Sequence, residues 1–195
     1  MGIVARWEWR TFGEGSFGSC EDTIRALGME GNKKTEELYI LSKKSDENIK
    51  IRFDVVDVKS LQNVNGDRLE QWLPILKTGF PISVVTLEEL FKIFKTEAPE
   101  FKRGEYGYEE FLDEVIRPCP DLELVEVKKS RDIYKIDGAT AEIAECSFNG
   151  KGWRTICVEH EDPALVISVV KKLGLSGAPN VNYIQAMKKS VGMSR

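Results

Sequence analysis

Charged and apolar residues alternate one for one in several short stretches of this chain. Arg6-Trp7-Glu8-Trp9-Arg10 is the first, followed by Lys50-Ile51-Arg52, Asp57-Val58-Lys59 and, near the end, Val158-Glu159-His160-Glu161. Successive side chains of a strand point to opposite faces. Each stretch therefore reads as a strand with a charged face and an apolar face. The pattern predicts a first strand over Ile3 to Phe12 and others over Glu36 to Ser42, Asn48 to Val56 and Asp57 to Gln62. Later strands are expected over Leu122 to Lys129, Arg131 to Ile136, Ala139 to Phe148 and Trp153 to Glu161. Asp137-Gly138 and Asn149-Gly150 supply hairpin turns between the last three.

Elsewhere the period lengthens. Cys20 to Leu27 reads as a short helix capped by Ser19. Leu69, Trp72, Leu73 and Leu76 recur at helical spacing, as do Leu87, Leu90, Phe91 and Phe94. A helix over Tyr108 to Ile116 is stopped by Pro118 and Pro120. Residues 67–117 thus read as a helical block between two strand-rich halves of one domain spanning 1–195. Two helices, Pro163 to Leu173 and Tyr183 to Val191, close the chain. Glu14 to Gly18 is a glycine-rich turn without the Gly-Lys-Ser/Thr ending of a phosphate loop.

Helices with apolar stripes need an apolar surface, and Trp7, Trp9, Ile49, Ile51, Phe53, Val56 and Val58 offer one. If helices cover that face, the charges point the other way. About eight strands closed into a barrel can enclose one small ligand. The expected fold is therefore α+β: a closed antiparallel barrel with helices outside and a charged, ligand-filled tunnel. Lys and Arg suit a polyanion, and carboxylates two residues apart suit a hard divalent cation.

Composition narrows the classes. With 195 residues, 42% hydrophobic and 31% charged, the chain is long enough for one sizeable core. A net charge of −4 argues against a duplex nucleic-acid binder. Cys20, Cys119, Cys146 and Cys157 show no C-x-x-C spacing and read as reduced thiols of a cytoplasmic protein. His160 is the only histidine, which excludes a multi-histidine metal site. Neither a signal peptide nor a run of about 18 apolar residues is present, so no membrane partner is expected.

The ordered set of segments resembles the CYTH family, the triphosphate tunnel metalloenzymes, which include class IV adenylate cyclases, thiamine triphosphatases and inorganic triphosphatases. The family's N-terminal E-x-E-x-K strand aligns with Arg6-Trp7-Glu8-Trp9-Arg10; Glu8 and Arg10 match, and Arg6 replaces the first Glu. Ile49-Lys50-Ile51-Arg52 resembles the L-R-x-R strand, with Lys59 as a further tunnel lysine. Lys129-Ser130-Arg131-Asp132-Ile133-Tyr134 resembles K-x-R-x-x-Y. Glu142 and Glu145 lie on the strand after the Asp137-Gly138 turn, and their parity allows only one to face inward. Val158-Glu159-His160-Glu161 resembles the late E-x-E pair, and Asn182-Tyr183-Ile184 a helix start.

The resemblance implies that Arg10, Lys50, Arg52, Lys59, Lys129 and Arg131 bind phosphate oxygens. It implies that Glu8, Glu159 and Glu161 bind Mg²⁺ or Mn²⁺. The expected function is metal-dependent hydrolysis of an inorganic, nucleoside or thiamine triphosphate. The alternatives are a class IV-type adenylate cyclase and a non-catalytic binder of nucleotide or polyphosphate, which Arg6 favours by trading a carboxylate for a cation. Monomer and homodimer both remain open. Trp72 and Trp153 are candidate contacts for the rest of the substrate, with packing the alternative.

Overall fold

A strand whose two faces differ this sharply must place them in different surroundings, and the fold does so by closing a ring. The computed structural model describes residues 5–193; Ile3 and Val4, expected to open the first strand, lie outside them. The strands are β1 (Trp7–Gly13), β2 (Gly31–Ser42), β3 (Asn48–Arg52), β4 (Val55–Val64), β5 (Glu70–Gly79), β6 (Ile82–Ser83), β7 (Glu105–Tyr106), β8 (Leu122–Ile136), β9 (Ala139–Phe148) and β10 (Lys151–His160). Eight of them form a closed antiparallel barrel in the order β1-β10-β9-β8-β2-β3-β4-β5, and β6 pairs with β7 alone. The helices are α1 (Ser19–Arg25), α2 (Val84–Phe94), α3 (Tyr108–Glu110, continuing as a π-helical turn over Phe111–Ile116), α4 (Pro163–Lys172) and α5 (Tyr183–Ser190).

The apolar faces pack outward as the alternation demands. Ile49, Ile51, Val56 and Val58 meet Leu87, Leu90, Phe91 and Phe94 of α2 and Phe111, Leu112, Val115 and Ile116 after α3. Each such side chain, fully buried, contributes roughly 1.5–3 kcal/mol. Trp9, Ile143, Ile156 and Val158 meet Val166, Val169 and Val170 of α4 and Ile24 of α1. Phe53 does not join them. It sits at the tip of the β3–β4 hairpin, 79% exposed, with Phe53 and Asp54 both at positive φ. β3 therefore ends at Arg52, four residues before the end of the expected Asn48 to Val56 strand.

The expected helix around Leu69, Trp72, Leu73 and Leu76 is strand β5. Pro74 would remove a helical hydrogen bond and clash with the preceding turn. In the strand it sits at a register shift: Val58 pairs with Leu76, but Lys59 pairs with Pro74, which skips Ile75. A bulge of this kind switches the faces. Trp72 consequently points inward while Leu76 packs outward against the α2 cluster. Ser19, expected as a helix cap, is the first residue of α1; Gly18 precedes it at φ 57°.

The seam between β1 and β5 is short. Among the described residues, only Trp7 and Glu8 of β1 pair with β5, at Gln71 and Glu70. The C-terminal segment completes it. Asn180 Oδ1 accepts from the Arg10 N–H at 2.7 Å, and the Arg10 carbonyl accepts from the Val181 N–H at 2.6 Å. Asn182 and Gln185 then form a reciprocal cap for α5. This helix sends Tyr183, Ile184 and Met187 among the inward side chains Phe12, Tyr39, Leu41, Val125 and Phe148. It is thus a plug, whereas the other helices cover the outside.

Candidate functional site

The inward side chains enclose a cavity of about 290 Å³. Six cations line it (Arg10, Lys33, Lys50, Lys59, Lys129 and Arg131), together with three carboxylates, Glu8, Glu142 and Glu159. Tyr39, Asn48, Trp72, Cys157, Asn182 and Tyr183 also contribute to the wall. The excess of positive charge in an enclosed space favours a polyanion, because low dielectric strengthens each contact.

Arg10 is the hub on the acidic side. Its Nε donates to Glu8 at 2.9 Å, and one terminal nitrogen donates to Glu142 at 3.1 Å and to Thr155 at 3.3 Å. Its guanidinium lies 4.7 Å from the centre of the Tyr183 ring. Arg131 reaches Glu142 from the other side at 3.6 Å. Glu142 therefore faces the cavity, whereas Glu145 points outward to Arg154. Among the described residues, neither Lys33 nor Lys59 makes an ion pair. Arg131 Nε, Asn48 Oδ1 and the Tyr183 hydroxyl are buried and find no hydrogen-bond partner among the described residues. Buried polar atoms are rarely left so, and these three residues share one cavity.

Glu37 of β2 dominates the opposite side and escaped the sequence reading. Its side chain is 1% exposed and accepts from Lys129 at 2.7 Å, Lys50 at 3.3 Å and Arg52 at 3.2 Å. Burial opposes its ionisation, but the charges of Lys129 and Lys50 outweigh that and hold its pKa at about 2. The same pair shifts the other way at Lys129. Burial pulls the ammonium down to about 7 against the attraction of Glu37, with Lys50 and Arg10 adding repulsion. Lys129 also donates to the Tyr39 hydroxyl at 2.8 Å and lies 3.8 Å from the Tyr183 ring centre.

Of the residues expected at the site, Arg10, Lys50, Lys59, Lys129, Arg131, Glu8 and Glu159 line the cavity. Arg52 does not; it faces Glu37 and a second hollow of about 620 Å³ between the β3–β4 turn and α3. Glu161 does not either. β10 ends at His160, and Glu161 is exposed beyond it. There His160 Nδ1 accepts from the Asp162 N–H at 3.0 Å, helping to turn the chain into α4. Lys33 was missed because β2 starts at Gly31, five residues before the expected strand. Extending the alternation from Tyr39 and Glu37 through Thr35 would have placed it.

The register tests the fit to a divalent cation. Glu8 pairs directly with Glu159 on β10 and with Glu70 on β5, so three glutamates stand in a row across adjacent strands. Like charges directly opposite destabilise a sheet. Each is offset: Glu8 by Arg10, Glu159 by Arg6 at 3.0 Å, and Glu70 by Asn182 Nδ2, which reaches both oxygens at 3.0 and 3.1 Å. Burial raises the Glu70 pKa despite the hydrogen bonds from Asn182 and Trp72. Among the described residues, no three His, Cys, Asp or Glu side chains gather into a cage for a metal ion. Two neighbouring carboxylates, Glu8 and Glu159, fit a cation that takes its other oxygens from water and phosphate, as Mg²⁺ commonly does.

No protein-family model matches the chain, and no curated protein matches it in sequence. Its backbone does match solved structures. One is HpAC1 from Hippeastrum, described as an adenylyl cyclase candidate with a dominant triphosphatase activity: TM-score 0.53, 12% identity, 96% of each chain covered. Another is an adenylate cyclase candidate from Bacillus halodurans: TM-score 0.50, 15% identity, 94% of this chain and 98% of that one. The fold is therefore of the triphosphate-tunnel type. Among the described residues, no helix is long and apolar enough to cross a membrane.

Proposed function

We propose that this barrel is a divalent-metal-dependent phosphohydrolase acting on a triphosphate compound held in its charged cavity. One observation carries the reading: six cations and three carboxylates converge inside a closed barrel, with buried donors of Arg131 and Tyr183 left unpartnered among the described residues. Lys33, Lys59 and Arg131 would take phosphate oxygens, since they are the cations least committed to protein partners. Glu8 and Glu159 would hold Mg²⁺ or Mn²⁺, which would neutralise charge on the phosphates. Enclosure by α5 and the barrel wall limits water and orients the chain of phosphates, so catalysis would be positioning and electrostatic stabilisation.

A second reading, a binder without turnover, draws on Arg6. Its guanidinium sits on Glu159, where a cation would otherwise bind.

A phosphate-release assay with tripolyphosphate, ATP and thiamine triphosphate separates the two, with Mg²⁺ and Mn²⁺ supplied in turn. Orthophosphate should appear, and Glu159→Gln should lower the rate at least about tenfold while the circular dichroism spectrum stays unchanged. Tight binding with no release supports the binder. Cyclic AMP with pyrophosphate from ATP indicates a cyclase. Equal release by the variant removes Glu159 from the site.

A further inference from the structure

We propose that Glu37 is an internal anion that ends the phosphate track and so sets how many phosphates the cavity can engage; this rests on the triphosphate reading above. Its three cations come from two strands, Lys50 and Arg52 on β3 and Lys129 on β8, and two of them, Lys50 and Lys129, also line the cavity. Such a convergence of ammonium and guanidinium groups on one pair of oxygens is how a protein holds a phosphate. Here a carboxylate of the chain fills that position. Glu37 takes one donor from each lysine, and Lys129 spends a second on the Tyr39 hydroxyl.

The charge balance points the same way. One carboxylate faces three cations, so the cluster keeps a net positive charge next to the cavity. A phosphate chain entering the cavity is drawn towards Lys50 and Lys129. It stops there because the next anionic position is already taken. On the far side of Glu37 lies the separate hollow bordered by Arg52, Leu38 and Tyr108. Glu37 and its cations therefore form the partition between the two spaces. A carboxylate held ionised, with a pKa of about 2, keeps this partition charged at all ordinary pH.

The experiment is calorimetric binding of pyrophosphate, tripolyphosphate and tetrapolyphosphate to the wild type and to Glu37→Gln. Wild-type affinity should rise from two to three phosphates and then level off. In Glu37→Gln three cations lose their internal partner, and tetrapolyphosphate should bind about tenfold more tightly than tripolyphosphate, the worth of one further charged contact. Glu37→Asp keeps the charge and should keep the wild-type plateau. The same length dependence in Glu37→Gln as in the wild type, or a loss of affinity equal at every length, would overturn the assignment and leave Glu37 a structural residue. If Glu37→Gln is unfolded alone, added tetrapolyphosphate should restore folding at lower concentration than tripolyphosphate; equal rescue overturns it too. A wild type that binds none of the three sinks the triphosphate reading itself.

Discussion

Arg10→Met should lower the unfolding free energy by about 3–5 kcal/mol, the usual cost of stranding buried charges by removing their partner. For a chain of this size the melting temperature should fall by roughly 10 °C. The size follows from what the guanidinium holds. Glu8, Glu142 and Thr155 all take hydrogen bonds from it, and the Glu142 side chain is only 13% exposed. Methionine fills much of the volume over Tyr183 but returns none of those bonds. The diagnostic comparison is Arg10→Met with Glu142→Gln added. If stranded carboxylates cause the loss, the second substitution should recover part of it, because Glu142 then has no charge to desolvate. A melting temperature within about 2 °C of the wild type would show that Glu8 and Glu142 reach water without Arg10.

That prediction could be framed from sequence only in part. The alternation around Glu8 and Arg10 showed that they share a face, and the outward apolar residues showed which way that face must turn. The sequence could not show which carboxylate Arg10 would meet, because that depends on the stagger of β9 against β10. Register pairs Cys157 with Glu142, which brings this glutamate opposite the Arg10–Cys157 pair and sends Glu145 outside. Residues 70–79 misled because a bulge at Ile75 breaks the two-residue period, leaving Leu69, Trp72, Leu73 and Leu76 at a spacing that imitates a helix. Pro74 was the available warning. Glu161 failed for a different reason: the E-x-E pattern assumes that the strand continues, and here the chain leaves it at His160 to form the Asp162 cap of α4.

Glu37 was illegible for a reason that matters more for function. A glutamate in a strand looks like any solvated residue until its neighbours across the ladder are known. The pairing of β2 with β3 at two positions and with β8 along its whole length puts Lys50, Arg52 and Lys129 around it. Three residues expected to await a ligand are thereby partly committed to the protein, and the burden of recognition shifts to Lys33, Lys59 and Arg131.

The same cluster predicts an unusual pH dependence of stability in the ligand-free protein. An unfolded lysine keeps its proton up to about 10.4, whereas burial lowers Lys129 to about 7 in the folded protein. Between those values the unfolded chain binds more protons than the folded one, so stability rises with pH. Below about 7 both states are protonated and the burial penalty is present in full. Lys50, lowered by burial against the pull of Glu37, acts in the same direction. The buried thiols Cys20, Cys146 and Cys157, whose pKa values burial raises, work the opposite way, but only near and above 9 where an unfolded thiol ionises. Urea unfolding should therefore show a gain of roughly 2 kcal/mol between pH 7 and 8.5, at up to about 1.4 kcal/mol per pH unit. In Lys129→Met most of that gain should vanish, since Glu37 keeps Lys50 and Arg52 and the titrating ammonium is gone. Parallel curves for wild type and variant, or a wild type that weakens across this window, would mean that the Lys129 ammonium is hydrated in the folded protein and that the cavity is wetter than its walls imply.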